Sequence, residues 1–258
     1  MRPEILSDAL FYSESWYLRV MILVRVSLAS IALVLLTALH LNRRKFVAHR
    51  SLTVLLDWHF LWVSLLCVSV IAEYAHLAYS LIHLRTPADL VNNDFQCLVK
   101  ILPQCVGIYG SICSLFMMSI ERCTSSTHLS TYETSHKTYG RKLAAWHVLM
   151  IIIFTAVYIL MYGNVNGETA YCVTTSAKGK QLHNPVCAII LGSLEAWTII
   201  VFTRLLRKNE RRLKSAIMYT LTEKYQITEN VRMIRIMLPV VWSHVLITTA
   251  AILIFFIV

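Results

Sequence analysis

Charged residues are scarce in this chain, and so are the two residue types that most often punctuate a soluble fold. Only 15% of the 258 positions are Asp, Glu, Lys or Arg, with seven Gly and five Pro. A soluble domain carries about 25% charged and roughly 45–50% apolar residues, whereas 57% of this chain is hydrophobic. The shortage of Gly and Pro excludes low-complexity linkers, and no internal repeat is present. Seven cysteines occur (Cys67, Cys97, Cys105, Cys113, Cys123, Cys172 and Cys187) without a single C-x-x-C pair, which argues against zinc or a thioredoxin-like site. The histidines lack H-E-x-x-H or any other ligand spacing, and no Walker loop, G-x-G-x-x-G or G-x-S-x-G occurs. The sequence therefore leads us to expect no catalytic residue, no metal and no cofactor. There is no N-x-S/T sequon, so no N-glycan is expected. No cleavable signal peptide is visible: the first 16 residues are polar and mildly acidic, with Glu4, Asp8 and Glu14. The first apolar run is too long for an h-region and is expected to serve as an uncleaved anchor.

What the chain does have is apolar length. About 20 apolar residues cross the hydrocarbon as a helix, and six such runs occur, near residues 18–41, 52–84, 97–120, 143–162, 186–206 and 237–258. They must be helices, because backbone N–H and C=O groups find no water in lipid. The second run exceeds what a bilayer needs, so its helix should tilt or project. The expected fold is an all-α membrane protein: an extracellular N-terminal tail over residues 1–17, then a transmembrane bundle over 18–258.

Basic residues orient it. The loops after spans one, three and five hold four, four and nine Lys or Arg, 17 of the 24 in the chain. Such residues accumulate in cytoplasmic loops, which explains the net charge of +10 without nucleic acid as a partner. The N-terminus is expected outside, and with six spans the C-terminus outside as well.

Span three carries the most informative ends. Cys97 stands at its outer end and Glu121-Arg122 at its inner end, about 37 Å apart at 1.5 Å per residue. Cys172 lies in the outer loop between spans four and five. In an oxidising compartment a Cys97–Cys172 bridge would pin that loop to span three; the alternative is two unpaired outer cysteines.

Together these features resemble the rhodopsin-like layout of G-protein-coupled receptors, with Cys123 where the family's acid–Arg–Tyr triplet has Tyr. Two further motifs narrow the likeness. Ser119-Ile120-Glu121-Arg122 with Tyr132-Glu133, and Tyr225-Gln226-Ile227-Thr228-Glu229-Asn230 before span six, resemble the signature of nematode serpentine chemoreceptors of the Sra superfamily (Sra, Srab, Srb and Sre). The resemblance implies a seven-helix receptor bundle, a small-molecule ligand and a heterotrimeric G protein as partners, and the plasma membrane of a sensory cell as location. It implies that Glu121, Arg122, Tyr132, Glu133, Tyr225, Gln226, Glu229 and Asn230 form the coupling and activation switch. Helical spacing puts Tyr225, Gln226, Glu229 and Asn230 on one face, which either bonds within the receptor, meets a partner, or is a solvated extension. One departure stands out: a seventh span is absent, so a non-signalling six-span fragment is the alternative reading. A transporter or channel would call for inverted repeats or broken helices in matching positions, and neither is present.

Ionisable residues within spans are expensive and mark function by default. Arg25 and Glu73 lie at similar depth on adjacent antiparallel spans and are expected to pair; the alternative has Arg25 snorkelling and Glu73 facing a watery cavity. Asp57 is close enough to the inner end of span two for water to reach it. Glu195 sits mid-span and would contact a cationic ligand or a neighbouring helix. Gly107, Ser111 and Ser114 share a face of span three, suited to close packing or to lining a ligand. Gln104, Gly107, Ser111 and Glu195 are the ligand-binding candidates. Pro239 and Trp242 stand in Pro-x-x-Trp order, the reverse of the receptor switch Trp-x-Pro, and carry no assigned role.

Overall fold

The computed structural model describes residues 3–42, 50–83, 86, 90–128, 139–162, 167–169, 172, 183–215 and 220–257. Seven helices run through them: α1 (Pro3–Glu14), α2 (Trp16–Leu41), α3 (Arg50–Ile82), α4 (Asp94–Thr127), α5 (Tyr139–Tyr162), α6 (His183–Lys214) and α7 (Leu221–Ile257). A two-residue ladder, β1 (Asn92–Asn93) and β2 (Glu168–Thr169), completes the order. Six of the helices, α2 to α7, are long and apolar enough to cross a membrane.

The helices depart from the hydropathy runs at their ends. The start of the expected tail is itself helical: α1 opens on Pro3, whose missing N–H is no loss in a first turn. The Ser15 hydroxyl accepts the N–H of Leu18 at 3.3 Å and caps α2. Beyond the apolar runs, α4 continues past Ile120 to Thr127, α6 past Leu206 to Lys214, and α7 begins at Leu221, well before Met237. Hydropathy cannot see these turns, because they are polar. They stay helical because one face is covered: Ser125, Ser126, Asn209, Gln226 and Asn230 are all buried. Coverage is uneven between helices. Two thirds (67%) of the apolar window of α4 is buried against 11% of that of α2, and α2 exposes Leu23, Leu28, Val34 and Leu35, apolar side chains suited to lipid.

The chain divides into two compact units. The first comprises Met1–Lys45, Phe60–Ile108 and Ile153–Asn184. Within it, Leu18 and Ile22 of α2 pack on Tyr74 of α3, and Ala9 of α1 packs with Leu90. Gly107 of α4 lies so close to α3 that a Cβ there would stand 2.8 Å from Leu66 Cβ and 2.9 Å from its backbone nitrogen. The start of α4 is clamped. Asn92 pairs with Thr169 and Asn93 with Glu168, and the Asp94 N–H donates to the Gly167 carbonyl at 3.0 Å. Cys97 and Cys172 are joined by a disulfide with Cα atoms 5.1 Å apart.

The second unit comprises Phe46–His59, Tyr109–Ile152 and Pro185–Val258. Its core takes Leu52 and Leu55 from α3, Leu115 and Met118 from α4, Leu143 from α5, Phe202 and Leu205 from α6, and Ile234, Met237 and Val241 from α7. Gly140 admits α5 against α3, where a Cβ would meet Ser51 Cα at 2.8 Å.

Candidate functional site

The strongest polar constellation lies in the second unit, at the Thr127 end of α4. Glu121 and Arg122 are 0% and 1% exposed. Consecutive residues on a helix point about 100° apart, yet the long guanidinium stem folds back. Arg122 Nε donates to Glu121 Oε2 at 2.5 Å and Nη2 to Oε1 at 2.7 Å. This two-point fork is the geometry in which Arg and carboxylate bind most strongly. Two other helices contribute: Ser51 of α3 donates to Glu121 Oε1 at 2.6 Å, and Arg122 Nη1 donates to Asn230 Oδ1 of α7 at 2.8 Å. Asn230 also accepts from Ser125 at 3.1 Å. A turn further on, Ser126 Oγ donates to Asn209 Oδ1 of α6 at 2.8 Å and its carbonyl accepts Arg212 Nη1 at 2.6 Å. Thr124 and the Tyr139 hydroxyl of α5 are 2.8 Å apart. This end of α4 thus ties to α3, α5, α6 and α7. A buried ion pair adds little net stability, but breaking it costs about 3–5 kcal/mol, because the survivor is left uncompensated. The arrangement therefore closes this end of α4 like a latch, which opens only at that cost.

The signature before span six divides on the structure. Gln226 and Asn230 are buried while Tyr225 is 58% exposed and Glu229 half-buried, so the four do not share one buried face. Positions i and i+4 stack, and the residue one step earlier rotates outward. Tyr132 and Glu133 lie outside the described residues.

A second polar cluster in the same unit surrounds Glu195, which is 2% exposed. Its Oε1 lies 3.9 Å from His244 Nδ1 of α7. The His244 and His59 rings are 5.8 Å apart, and His59 Nδ1 is 2.7 Å from Ser114 Oγ. Glu195 thus faces a neighbouring helix. Ser111 is buried, its carbonyl accepting Ser114 Oγ at 2.7 Å. Among the described residues no group of His, Cys, Asp and Glu could hold a metal ion.

In the first unit Arg25 and Glu73 do not meet as the expected directly bonded ion pair, although the Arg25 charge still acts on the Glu73 carboxyl. Arg25 instead donates to the Tyr74 hydroxyl and lies 5.0 Å over that ring, while Glu73 accepts from Gln104 of α4. The depth estimate places the residues at one height, but height leaves the azimuth free. Tyr74, one residue along and about 100° around α3, is the side chain that faces α2. Glu73 also borders a recess of about 60 Å³, lined by His76, Ser80, Leu90, Asn92, Lys100 and Cys172 among others. Lys100 donates to Asn92 Oδ1 there at 2.8 Å. Of the four ligand candidates, Gln104 and Gly107 thus belong to the first unit and engage α3, whereas Ser111 and Glu195 belong to the second. The sequence reading missed Ser51, Asn209 and Arg212 at the latch and Lys100 and Asn92 at the recess. The one signal that pointed to Arg212 was its place in a basic run; lone Ser and Asn residues carry none.

Comparison with known proteins agrees with this architecture. The family described as serpentine type 7TM GPCR receptor class ab chemoreceptor matches residues 7–258. Serpentine receptor class alpha/beta-14 of Caenorhabditis elegans is 27% identical over 213 residues, 79% of this chain and 53% of that protein. The chain thus spans about half the length of the curated relative it matches. No solved structure matches it. With the match running over nearly all of its length, the chain belongs to the class ab family of serpentine seven-helix chemoreceptors.

Proposed function

We propose that the chain is a chemosensory receptor that binds a small-molecule cue and signals to a heterotrimeric G protein from the plasma membrane of a sensory cell. The excess of Lys and Arg in alternate loops supports an extracellular N-terminus. It assigns the Cys97 end of α4 to the outside and the Arg122 end to the cytoplasm. The bundle would then extend from residue 18, with residues 1–17 extracellular. The recess bordered by Glu73 and Lys100, next to the disulfide, is the described cavity open to a cue from outside; it offers one carboxylate and one ammonium group.

The observation that carries the reading is the buried Glu121–Arg122 pair held by Asn230 of α7 and Ser51 of α3. In the resting state Arg122 is sequestered. A ligand that prefers a bundle with α7 displaced would free it, since a ligand shifts an equilibrium only by its differential affinity for the two states. Tyr225, exposed at the same end of α7, and the half-buried Glu229 are placed to meet the G protein. The test is nucleotide exchange on a purified heterotrimer by the reconstituted receptor, screened against small molecules. The double variant Glu121→Gln, Arg122→Met, which leaves no orphaned charge, should abolish ligand-driven exchange per receptor counted at the surface; unchanged exchange would overturn the assignment.

A further inference from the structure

The C-terminal part of α6 bears an open concavity of about 380 Å³ lined by Arg204, Arg207, Lys208, Arg211 and Arg212 and by no other described residue. Arg204, Arg207, Lys208 and Arg211 are exposed. None of these four side chains makes a hydrogen bond or ion pair with a described residue. Of the two acids on the same helix, Glu195 is buried near His244, and Glu210, beside the cluster, is already engaged, accepting from Arg235 at 2.7 Å. Arg212 is tied to the Ser126 carbonyl. Like charges three and four residues apart on a helix repel, so the cluster calls for an anion from outside the described chain.

The same face of α6 says where that anion comes from. At about 100° per residue, Trp197, Ile200, Arg204, Arg207, Lys208 and Arg211 fall within an arc of about 100°. Trp197 and Ile200 are exposed hydrophobics, 55% and 43%. An apolar stripe thus runs directly into a cationic one. Arg204 to Arg211 rises about 10 Å, comparable to the headgroup layer of one leaflet, about 5–8 Å.

We propose that this face of α6 is a binding site for a bisphosphorylated inositol lipid of the adjoining leaflet. Its acyl chain lies along Trp197 and Ile200 and its headgroup sits among the five cations. Arg forks take phosphate oxygens two at a time, and Lys208 acts as a point charge. Each phosphomonoester carries about −1.5 to −2 at neutral pH, so two of them with the phosphodiester bring about −4 to −5 against five positive charges. A serine lipid brings about one net negative charge and leaves most of the cluster unmatched. The proposal rests on α6 crossing the bilayer and not on signalling, so its test needs no receptor activation.

The experiment is native mass spectrometry of the full chain released from neutral detergent micelles with short-chain phosphatidylinositol bisphosphate. Parallel arms use phosphatidylserine and soluble inositol trisphosphate. A one-to-one adduct with the bisphosphate lipid is expected, with little binding of the other two. The triple variant Arg207→Ala, Lys208→Ala, Arg211→Ala spares Arg212 and its bond. It should weaken binding by roughly 100-fold, on the order of five-fold per cation, with an unchanged melting curve. Should that variant fail to fold, the single reversal Arg211→Glu carries the same test, with a loss of about ten-fold or more. Trp197→Ala should weaken lipid binding alone. Equal binding of phosphatidylserine, or of the soluble headgroup, would overturn the assignment, and so would full retention by the variants. It would also fall if the variants lost affinity for a purified heterotrimer in lipid-free micelles while lipid binding stayed intact, for the face would then dock protein.

Discussion

Glu121→Gln is the smallest change that tests the latch. It keeps the shape of the side chain and one acceptor oxygen but removes the negative charge opposite Arg122. In the wild type that carboxylate receives two bonds from Arg122, at 2.5 and 2.7 Å, and one from Ser51 at 2.6 Å. Glu121 is 0% exposed and Arg122 1%, so solvent screening does not soften the loss. Removing one partner of a buried pair costs about 3–5 kcal/mol. At about 2–4 °C per kcal/mol for a chain of this size, melting should fall by the order of 10 °C. The chain carries its own reporter: Cys67, Cys105 and Cys113 are buried and outside any disulfide, while Cys123 is exposed. A thiol-reactive fluorophore will give a constant signal from Cys123 and a rise as the buried thiols appear. The double variant Glu121→Gln, Arg122→Met should recover most of the loss, because it removes the orphaned charge rather than creating one. If Glu121→Gln melts with the wild type, or if the double variant is worse than the single, the pair is not a buried latch.

Asn230→Leu removes a charge-assisted bond to Arg122 and the bond from Ser125; we expect a loss of about 1.5–3 kcal/mol and raised ligand-free nucleotide exchange, read in the same reconstituted system. Replacing Cys97 and Cys172 by Ser should cost about 2–4 kcal/mol, and non-reducing peptide mapping of the wild type should recover the two in one linked peptide. Gly107→Val, which drives a side chain into the Leu66 backbone, should cost about 1–3 kcal/mol, measured by thiol-reactive melting. The double swap Arg25→Glu, Glu73→Arg should recover little of the folded yield lost by its single variants, since each side chain hydrogen-bonds a different partner and the two charges act on each other only at longer range; recovery of most of the yield would restore the direct ion pair.

The six spans were legible because apolar length is written directly in the sequence; that Gln226 and Asn230 share a face followed from their i, i+4 spacing, but that this face is covered did not. Cys97 and Cys172 could be matched because topology put both on one side. What stayed hidden was mostly azimuth. Depth along a helix can be counted, but whether Glu73 or Tyr74 meets α2 depends on a rotation of about 100° that packing decides. The same uncertainty of one step misplaced Tyr225. Helix length past the membrane was hidden for another reason: the ends of α4, α6 and α7 are held by Ser125, Asn209 and Asn230, polar residues that hydropathy counts as loop. Partners such as Ser51, some seventy residues before Glu121, have no local pattern to announce them.

The close approach at Gly107 limits how the first unit can move. With Leu66 backbone atoms where a side chain would begin, α3 and α4 are locked like meshed teeth: neither slides nor rolls past the other there without collision. The Cys97 end of α4 carries the strand ladder with it through the disulfide, and α2 is tied to α3 through Arg25 and Tyr74. A displacement of α3 in this unit therefore draws α2 and the Cys97 end of α4 with it. Spin labels placed on α3 and α4 within this unit, between Phe60 and Ile82 and between Asp94 and Ile108, should keep a fixed separation, which makes that pair the reference frame against which motion of α2 can be measured.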